Sequence, residues 1–431
     1  MLALITPSRR HLLLASASLM TAALGCGWGQ RARPLRENGR VVVTFWYAFG
    51  DVARKVLLDL VARYNASQDR VSVRAVHQGD YFEALAKLRT ALAAGAGPTL
   101  SHVVCEVVPY LARADVLEPL GEYEGAKEIP FVPALAQQGS FAGGGDRPLV
   151  AIPFNRSTPI AFANARLLAQ ARVAPPRTWE ELVEASHELT VREASGETRW
   201  GFDVPISWWY WVAMVGQAGG HLVETNGRVA LGEEAGEHAV AFWQRLVRDG
   251  VLRPPPGRDY QAWQSSNESF LQGRTAMMWS STAYVRYLED NARFPVVASP
   301  LPRGVRASVP TGGTMFVLLR SAPDEEKRAG WDFVRWMCDA EQTITWSTRT
   351  GYMPVTTAAV DRLNERGWYA DHPNDRVAYD QLEVVDPWPW APELFRIERD
   401  VVEPRLEEAV LTGRSAHELL EEARAEAARP A

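Results

Sequence analysis

The chain has 431 residues, which is more than one typical hydrophobic core accommodates, so at least two structural units are expected. Hydrophobic residues make up 47% of the sequence and charged residues 23%, the proportions of a globular protein folded in water. The formal net charge is −6 and no basic cluster follows the amino terminus, which argues against nucleic acid as the main partner.

Residues 1–25 have the layout of a secretory signal peptide. A basic pair precedes a short apolar run that ends in small residues before Cys26, and the Sec and twin-arginine export routes both remain open. The segment Ala23-Leu24-Gly25-Cys26 resembles a bacterial lipoprotein cleavage box. We therefore expect Cys26 to carry a lipid anchor; cleavage that leaves the protein free is the alternative.

Two cysteines remain after Cys26. Cys105 follows an apolar strand pattern and Cys338 a helical one. Two cysteines so far apart in the chain do not form a disulfide framework. We expect buried thiols, with a single bridge as the alternative.

The first part of the mature chain predicts a βαβ unit. Residues 41–45 form an apolar strand, residues 51–64 an amphipathic helix and residues 71–76 an alternating strand, which together imply a parallel sheet covered by helices. The order repeats with a helix over 81–92 and a strand around 103–105. The predicted buried face of the first helix consists of Val52, Val56, Leu57, Leu60 and Val61.

Polar and aromatic side chains follow these strands, at the sheet edge where open α/β folds bind ligands. They are Trp46, Tyr47, Tyr81 and Glu106. Glu106 stands in an apolar run, where a carboxylate needs a partner. It is a candidate ligand-binding group; a structural ion pair is the alternative.

Residues 153–159, Pro-Phe-Asn-Arg-Ser-Thr-Pro, predict a stiff strand that crosses from one lobe to another. Each proline holds the residue before it extended. We expect the polar side chains between the prolines to turn into the gap between the lobes.

Residues 207–211, Ser-Trp-Trp-Tyr-Trp, are the densest aromatic cluster in the chain. Buried indole and phenol groups need polar partners, so we interpret the cluster as a stacking floor for a sugar face or a cationic head group.

Further along, residues 273–281 predict a strand ending in hydroxyls. Gly312-Gly313 permits a close backbone approach, and residues 350–354 form a turn that fixes Tyr352. A charged helical tail follows Trp388 and Trp390.

Motifs for several chemistries are absent from the sequence. It contains no His-Glu-x-x-His, Cys-x-x-Cys, EF-hand loop, phosphate-binding loop or Gly-x-Ser-x-Gly elbow. We therefore expect no metal, no cofactor and no catalytic residues. Paired carboxylates for glycoside cleavage stay open, although no second acid is nominated beside Glu106.

The features from residue 41 to 420, taken in order, resemble the extracellular solute-binding proteins of bacterial ABC importers, family 1, of the sugar- and glycerol-phosphate-binding type. The segments that carry the resemblance are Phe45-Trp46, Phe49-Gly50, Tyr64-Asn65-Ala66, Gly79-Asp80-Tyr81, Glu106-Val107, residues 153–159, Pro176-Arg177-Thr178-Trp179, Gly312-Gly313, residues 350–354 and Thr412-Gly413. The family implies a two-lobed α/β fold of the periplasmic-binding-protein type II, whose crossing strands act as a hinge. The implied divisions are a signal at 1–25, a tether at 26–40, a first lobe at 41–150 and 310–348, and a second lobe at 155–305 and 355–431.

The resemblance also implies the ligand-binding residues. They are Tyr81, Glu106, Ser157, Trp209, Ser281, Gly313 and Tyr352, with Ser280 as the alternative to Ser281. The family places an arginine shortly before the last helix to pair with a ligand phosphate, and this chain has Asp400 there. A phosphate monoester would lose that partner, so a glycerophosphodiester or a neutral sugar fits better.

We therefore expect an exported, lipid-anchored monomer that closes on a sugar or polyol and delivers it to an ABC permease. Its site would be the periplasm or the outer face of the cell membrane. The alternatives are a secreted carbohydrate hydrolase that uses Glu106 and a lipoprotein that serves only as an assembly partner.

Overall fold

The computed structural model describes residues 33–137, 148–192, 194, 196–225, 227–253, 257–258 and 260–429. The predicted signal sequence and Cys26 lie outside these residues. Within them, no helix combines the length and the apolarity needed to cross a membrane.

The described strands, in chain order, are β1 (Arg36–Glu37), β2 (Arg40–Tyr47), β3 (Val71–His77), β4 (Leu100–Val104), β5 (Ile152–Ser157), β6 (Pro159–Asn164), β7 (Val191–Arg192), β8 (Thr198–Asp203), β9 (Thr275–Ser281), β10 (Val296–Ser299) and β11 (Gly312–Leu318). The α-helices are α1 (Asp51–Ser67), α2 (Tyr81–Ala93), α3 (Val108–Arg113), α4 (Pro133–Ala136), α5 (Ala165–Ala171), α6 (Trp179–Leu189), α7 (Trp208–Gln217), α8 (Glu233–Arg248), α9 (Tyr260–Leu271), α10 (Val285–Asn291), α11 (Asp324–Met337), α12 (Ala340–Thr350), α13 (Thr357–Glu365), α14 (Trp368–Asp371), α15 (Pro373–Asp380), α16 (Leu394–Arg396), α17 (Glu403–Thr412) and α18 (Ala416–Ala427). Short 3₁₀ turns span Cys105–Val107, Thr282–Tyr284 and Gln381–Val384, and Ile397–Val402 is π-helical.

The first lobe is built on a mixed sheet. Its strand order is β1-β2-β4-β11-β5, and β3 also pairs with β2. The predicted βαβ unit is confirmed, because β2 and β3 run parallel and α1 connects them. The predicted parallel pairing holds for β2 with β3 and β4, but the sheet as a whole is mixed. Strand β11 returns from the second lobe and runs antiparallel to its neighbours β4 and β5, which run toward that lobe.

Helix α1 covers this sheet with the predicted face, except at its start. Val56, Leu57 and Leu60 are at most 1% exposed, and Val61 is buried. Val52 is 48% exposed, so its predicted burial is wrong. It lies in the first turn of α1, beside the carboxyl edge of the sheet rather than over it.

The second lobe is built on a sheet of order β10-β6-β9-β8-β7. Strands β8 and β9 run parallel, and the other pairs are antiparallel. Helices α17 and α18 pack against α8 and bury Leu406, Val410, Leu419 and Leu420, as the pattern of the tail predicts.

The two lobes are joined at Thr158, the residue between β5 and β6. Its amide donates to Thr282 Oγ1 at 3.2 Å and its carbonyl accepts from the Thr282 amide at 3.1 Å. Gln381 Nε2 donates to Thr158 Oγ1 at 3.0 Å. The predicted crossing strand and the two-lobed fold are thereby confirmed.

The expectation that the polar side chains of the crossing turn into an open gap is wrong. Asn155, Arg156 and Thr158 are fully buried and Ser157 is 4% exposed. The return strand β11 lies beside β5, and the segment after α12 pairs with it through the Met353 amide, which donates to the Arg156 carbonyl at 2.9 Å. These neighbours cover the crossing and supply its hydrogen bonds.

Both described cysteines are free and buried. Burial raises the pKa of the Cys105 and Cys338 thiols above the ordinary value. Protonated, buried thiols are poor nucleophiles, which fits a packing role.

Candidate functional site

A hydrogen-bonded chain begins inside the first lobe at His102, in the middle of β4. The Ala48 amide donates to His102 Nε2 at 2.8 Å, so the ring proton lies on Nδ1, which contacts Thr314 Oγ1 at 2.8 Å. Burial lowers the pKa of His102 to about 3, which keeps the ring neutral. The Thr314 hydroxyl then donates to Asn155 Oδ1.

This series of hydrogen bonds continues from Asn155 to two tyrosines at the cleft. Asn155 Nδ2 donates to the Tyr81 hydroxyl at 3.0 Å, and the Tyr81 and Tyr352 hydroxyls are 3.2 Å apart. Asp80 caps α2 at the position before Tyr81, and Tyr352 stacks on Trp346 with ring centroids 5.8 Å apart. Backbone and ring packing thus fix both hydroxyls at the cleft wall.

Gly312 and Gly313 at the start of β11 allow this strand to lie very close to both β5 and α7. Gly313 has φ +86°, and a Cβ there would lie 1.8 Å from the Asn155 carbonyl oxygen. A Cβ on Gly312 would lie 2.7 Å from the Trp209 ring and 3.2 Å from Ser157 Oγ. The close approach predicted here is made by the protein's own strand and indole.

Trp209 and Trp388 of the second lobe share one acceptor. Their indole nitrogens donate to the Thr311 carbonyl at 3.2 and 2.7 Å. Arg156 Nη2 donates to Thr311 Oγ1 at 2.6 Å. Thr311, the residue before β11, therefore connects the strand that returns to the first lobe with two tryptophans of the second lobe.

The aromatic cluster at 207–211 divides between the cleft and the core. Trp209, 7% exposed, packs against Gly312, whereas Tyr210 and Trp211 are fully buried. The Trp211 indole donates to the Gly236 carbonyl at 3.1 Å, and the Tyr210 hydroxyl has no hydrogen-bond partner among the described residues. Interpreting the whole cluster as a stacking floor is therefore wrong, because successive helical residues point to different sides.

Glu106 lies in the 3₁₀ turn after β4 and is 8% exposed. Burial raises its pKa to about 7, opposed by its backbone amide, by the Arg156 guanidinium and by the Cys105 thiol. The cavity beside it is lined by Glu106, Pro109, Gln137, Trp388, Pro389, Trp390, Ala391 and Leu394. A carboxylate is thus presented to a cavity with two indole walls.

Sequence reasoning missed Glu398, a buried acid on which the charge of Glu106 acts. Glu398 is fully buried in the π-helical segment, and burial together with the charges of Glu106 and Glu403 raises its pKa well above the ordinary value. A signal was present, since Glu398 shares one helical face with Leu394 and Val401. A carboxylate among apolar residues on one helical face indicates a candidate functional acid, by the same argument as for Glu106.

Ser281 ends β9 on the second-lobe side of the hinge. Its hydroxyl accepts from the Ala283 amide at 3.2 Å and caps the following 3₁₀ turn. Ser280, the alternative, donates to Asn267 Oδ1 at 3.2 Å and is 2% exposed. These contacts bring Tyr81 and Tyr352 together and place Ser157 and Trp209 beside Gly312. Gly313 lies against Asn155 instead, and the hydrogen bond of Ser281 lies within its own lobe.

The segment before α17 reaches the first lobe. Phe395 stacks with Phe82 of α2 at a centroid distance of 6.3 Å, and the Arg399 guanidinium carbon lies 3.4 Å above the Phe82 ring. Glu393 pairs with Arg113 of α3. Asp400 is exposed, and of the two acidic residues in the π-helical segment only Glu398 is buried.

One trio of potential metal ligands comes together among the described residues, far along the chain from this cleft. It consists of Glu237, His417 and Glu421. The Arg424 guanidinium contacts Glu237 at 2.5 Å and Glu421 at 2.8 Å. These carboxylates therefore already have a counter-charge.

A protein family described as bacterial extracellular solute-binding protein matches residues 59–375. This chain belongs to that family. It is accordingly a solute receptor of the type that serves ABC importers, which confirms the resemblance drawn from the sequence. The match spans both lobes and the hinge between them.

Among the curated relatives, the sn-glycerol-3-phosphate-binding periplasmic protein UgpB of Salmonella typhimurium is 23% identical over 368 residues, or 81% of this chain and 82% of the relative. UgpB of Mycobacterium tuberculosis, solved in complex with glycerophosphocholine, has a TM-score of 0.78 and 24% identity over 90% of this chain and 98% of that one. The GacH receptor of Streptomyces glaucescens, solved unliganded and with acarbose, has a TM-score of 0.77 and 21% identity, covering 89% and 97%.

Proposed function

We propose that this receptor binds a carbohydrate or glycerophospho-type ligand between its lobes and delivers it to an ABC permease. The binding residues would be those inferred from the sequence: Tyr81, Glu106, Ser157, Trp209, Ser281, Gly313 and Tyr352. The observation that carries the proposal is the cavity in which the Glu106 carboxyl faces the Trp388 and Trp390 indoles. The paired Tyr81 and Tyr352 hydroxyls add polar groups on the first-lobe side. Hydroxyl acceptors facing aromatic rings suit a ligand with polar edges and an apolar face.

The local charge disfavours a phosphate monoester. Asp400 stands where the family's arginine is expected, and Arg399 is stacked on Phe82. Glu106 and Glu398 add acidic groups to the interior. Sugars and glycerophosphodiesters are therefore favoured over phosphate monoesters, and the two neighbours were solved with acarbose and with glycerophosphocholine.

Intrinsic fluorescence titration of the exported chain tests this function. We expect a saturable change with one ligand among maltose, other di- and trisaccharides, glycerophosphocholine and sn-glycerol-3-phosphate. Trp209→Phe should remove much of the change, whereas Trp336→Phe, a matched substitution in α11 of the first lobe, should preserve it. A flat response to every ligand would refute the proposal.

We further propose that the protein has no enzymatic activity. Glu106→Gln should then weaken binding while no product forms from any bound glycoside. The hydrolase alternative predicts the reverse, with product release by the unaltered protein and binding without turnover in Glu106→Gln. Chromatography of the ligand after prolonged incubation separates the two.

We also propose the lobe boundaries given by the sequence, a monomeric state and a lipid anchor on Cys26 at the outer face of the cell membrane. Cys26→Ser should move the protein from the membrane to the soluble fraction, whereas Cys105→Ser should leave it membrane-bound. Equal fractionation of the two variants would argue against the anchor.

A further inference from the structure

Glu398 is a buried acid that the binding residues proposed above do not include. Its side chain is fully buried, and neither carboxylate oxygen has a hydrogen-bond partner among the described residues. Buried polar groups in native proteins nearly always have a partner, so such an acid calls for a functional explanation. It also lies in a π-helical segment, a form of helix often found at functional sites.

Glu398 lies close along the helix to a residue that lines the cavity beside Glu106. Leu394 lines that cavity, and Glu398 lies four residues further on, on the same side of the helix. The acidic charge that acts most strongly on Glu398 is that of Glu106 itself. Glu106 thus lines the cavity, while Glu398 is buried one helical turn beyond the lining residue Leu394.

The surrounding charges leave one acid without a counter-ion. Arg156 acts on Glu106, and Arg399 and Arg258 act on Glu403. The charged groups that act on Glu398 are Glu106 and Glu403, both acidic.

The remaining wall of the cavity suits a cation as well. Trp388 and Trp390 line it, and the Trp388 nitrogen is held by the Thr311 carbonyl at 2.7 Å. An indole ring face attracts an ammonium group, most strongly where water is excluded. An ammonium group also carries three donors, which two carboxyl groups can accept.

We propose that the ligand of this receptor carries a protonated amine, which binds to Glu106 against the Trp388 and Trp390 rings, with the buried Glu398 carboxyl adding negative charge from behind the cavity wall. The ligand class is then amino sugars and amino-alcohol esters rather than neutral polyols. The inference rests on the proposed function, because it assigns a charge to the ligand of the same cleft. A neutral hydroxyl would leave the acidic pair without a compensating charge.

Calorimetric titration of the full exported chain tests this with ligand pairs in which one member carries amino groups and the other carries hydroxyl groups instead. The pairs are chitosan disaccharide and cellobiose, glucosamine and glucose, and glycerophosphoethanolamine and glycerophosphoglycerol. In a pair that binds, we expect the amine to bind at least about tenfold more tightly than its hydroxyl counterpart. Glu398→Gln should abolish that preference and leave the hydroxyl member unchanged.

Glu403→Gln is the matched control, since Glu403 is also a buried acid but has arginine counter-charges. It should retain the preference for the amine. Thermal melting of both variants checks folding. Glutamine keeps the size of the side chain.

The outcomes separate the two proposals. Equal or tighter binding of the hydroxyl members, or an amine preference that survives in Glu398→Gln, overturns the amine proposal and leaves the receptor function intact. Failure of both members of every pair, together with a flat fluorescence response to the neutral sugars and glycerophosphodiesters, overturns both.

Discussion

The Asn155 side-chain amide donates to the Tyr81 hydroxyl at 3.0 Å and so connects the crossing strand to the cleft wall. Asn155 is fully buried, while Tyr81 is partly exposed. The amide oxygen of Asn155 accepts from Thr314 at the same time. One side chain therefore orients a cleft hydroxyl through bonds made inside the core.

Replacing Asn155 by Ala should weaken folding and ligand binding together. The Thr314 hydroxyl and the Tyr81 hydroxyl each lose a partner, and we expect a loss of about 1–3 kcal/mol in the free energy of unfolding. Urea denaturation measures the first effect and calorimetric titration the second. Thr90→Ala, an exposed hydroxyl that bonds only along α2, should change neither appreciably. Unaltered affinity in Asn155→Ala would show that Tyr81 is positioned by its rings alone.

Gly313→Ala should be strongly destabilising. Its φ is +86°, and the new Cβ would lie 1.8 Å from the Asn155 carbonyl oxygen, so β5 and β11 would have to separate. Gly39→Ala is the matched control, because Gly39 has φ +80° with open space around it. We expect about 1–2 kcal/mol for Gly39→Ala from backbone strain and a clearly larger loss for Gly313→Ala. Equal melting temperatures would contradict the packing described here.

Stability should fall as the pH rises through the range in which Glu106 ionises. Its pKa is about 7 in the folded protein, against an ordinary value of 4.5, so the folded state binds more protons between these values. The free energy of unfolding should therefore decrease from about pH 5 to about pH 8, by up to roughly 3 kcal/mol from this group.

Glu106→Gln should show a shallower decrease over the same range. Part of the slope should persist, because burial also raises the pKa of Glu403 to about 7. Urea denaturation at several pH values gives both slopes. Identical slopes in the two proteins would mean that Glu106 ionises normally in the folded state.

A buried ion pair in the second lobe gives a further prediction. Asp203 at the end of β8 is fully buried and bonds to Arg253 at 3.0 Å and Ser266 at 2.9 Å. Arg253→Met should cost about 3–5 kcal/mol, because it leaves a buried carboxylate without its cation. Arg228→Met, which breaks exposed pairs with Glu224 and Glu233, should cost less than about 1 kcal/mol. Comparable losses in chemical denaturation would refute the distinction.

The local parts of this fold could be predicted from sequence because their causes are local. The prolines at 153 and 159 restrict their own backbone, and the 3.6-residue period of α1 identified its packed face. The burial of Asn155 and Arg156 could not be predicted, because it depends on β11, which lies more than 150 residues further along the chain. Polar residues in a crossing strand look the same whether they face solvent or neighbouring strands.

The candidate site was predictable where a residue is unusual for its surroundings. Glu106 stood out in an apolar run, and the same reasoning applies to Glu398, which the charged character of the tail concealed. In the aromatic cluster, Trp209 and Tyr210 are adjacent, yet the helix turns about 100° between them. Composition located the cluster, but only the position of α7 against β11 decides which ring meets the cleft.

The connection through Thr158 has a kinematic consequence. Pro159 fixes its own φ and limits the ψ of Thr158, so few torsions at this crossing are free to turn. Because this hinge is one residue long, a small change in its backbone torsions produces a large displacement of the residues furthest from it in each lobe. The hydrogen bonds with Thr282 and Gln381 keep Thr158 in place. The lobes should therefore rotate about one hinge axis rather than about several.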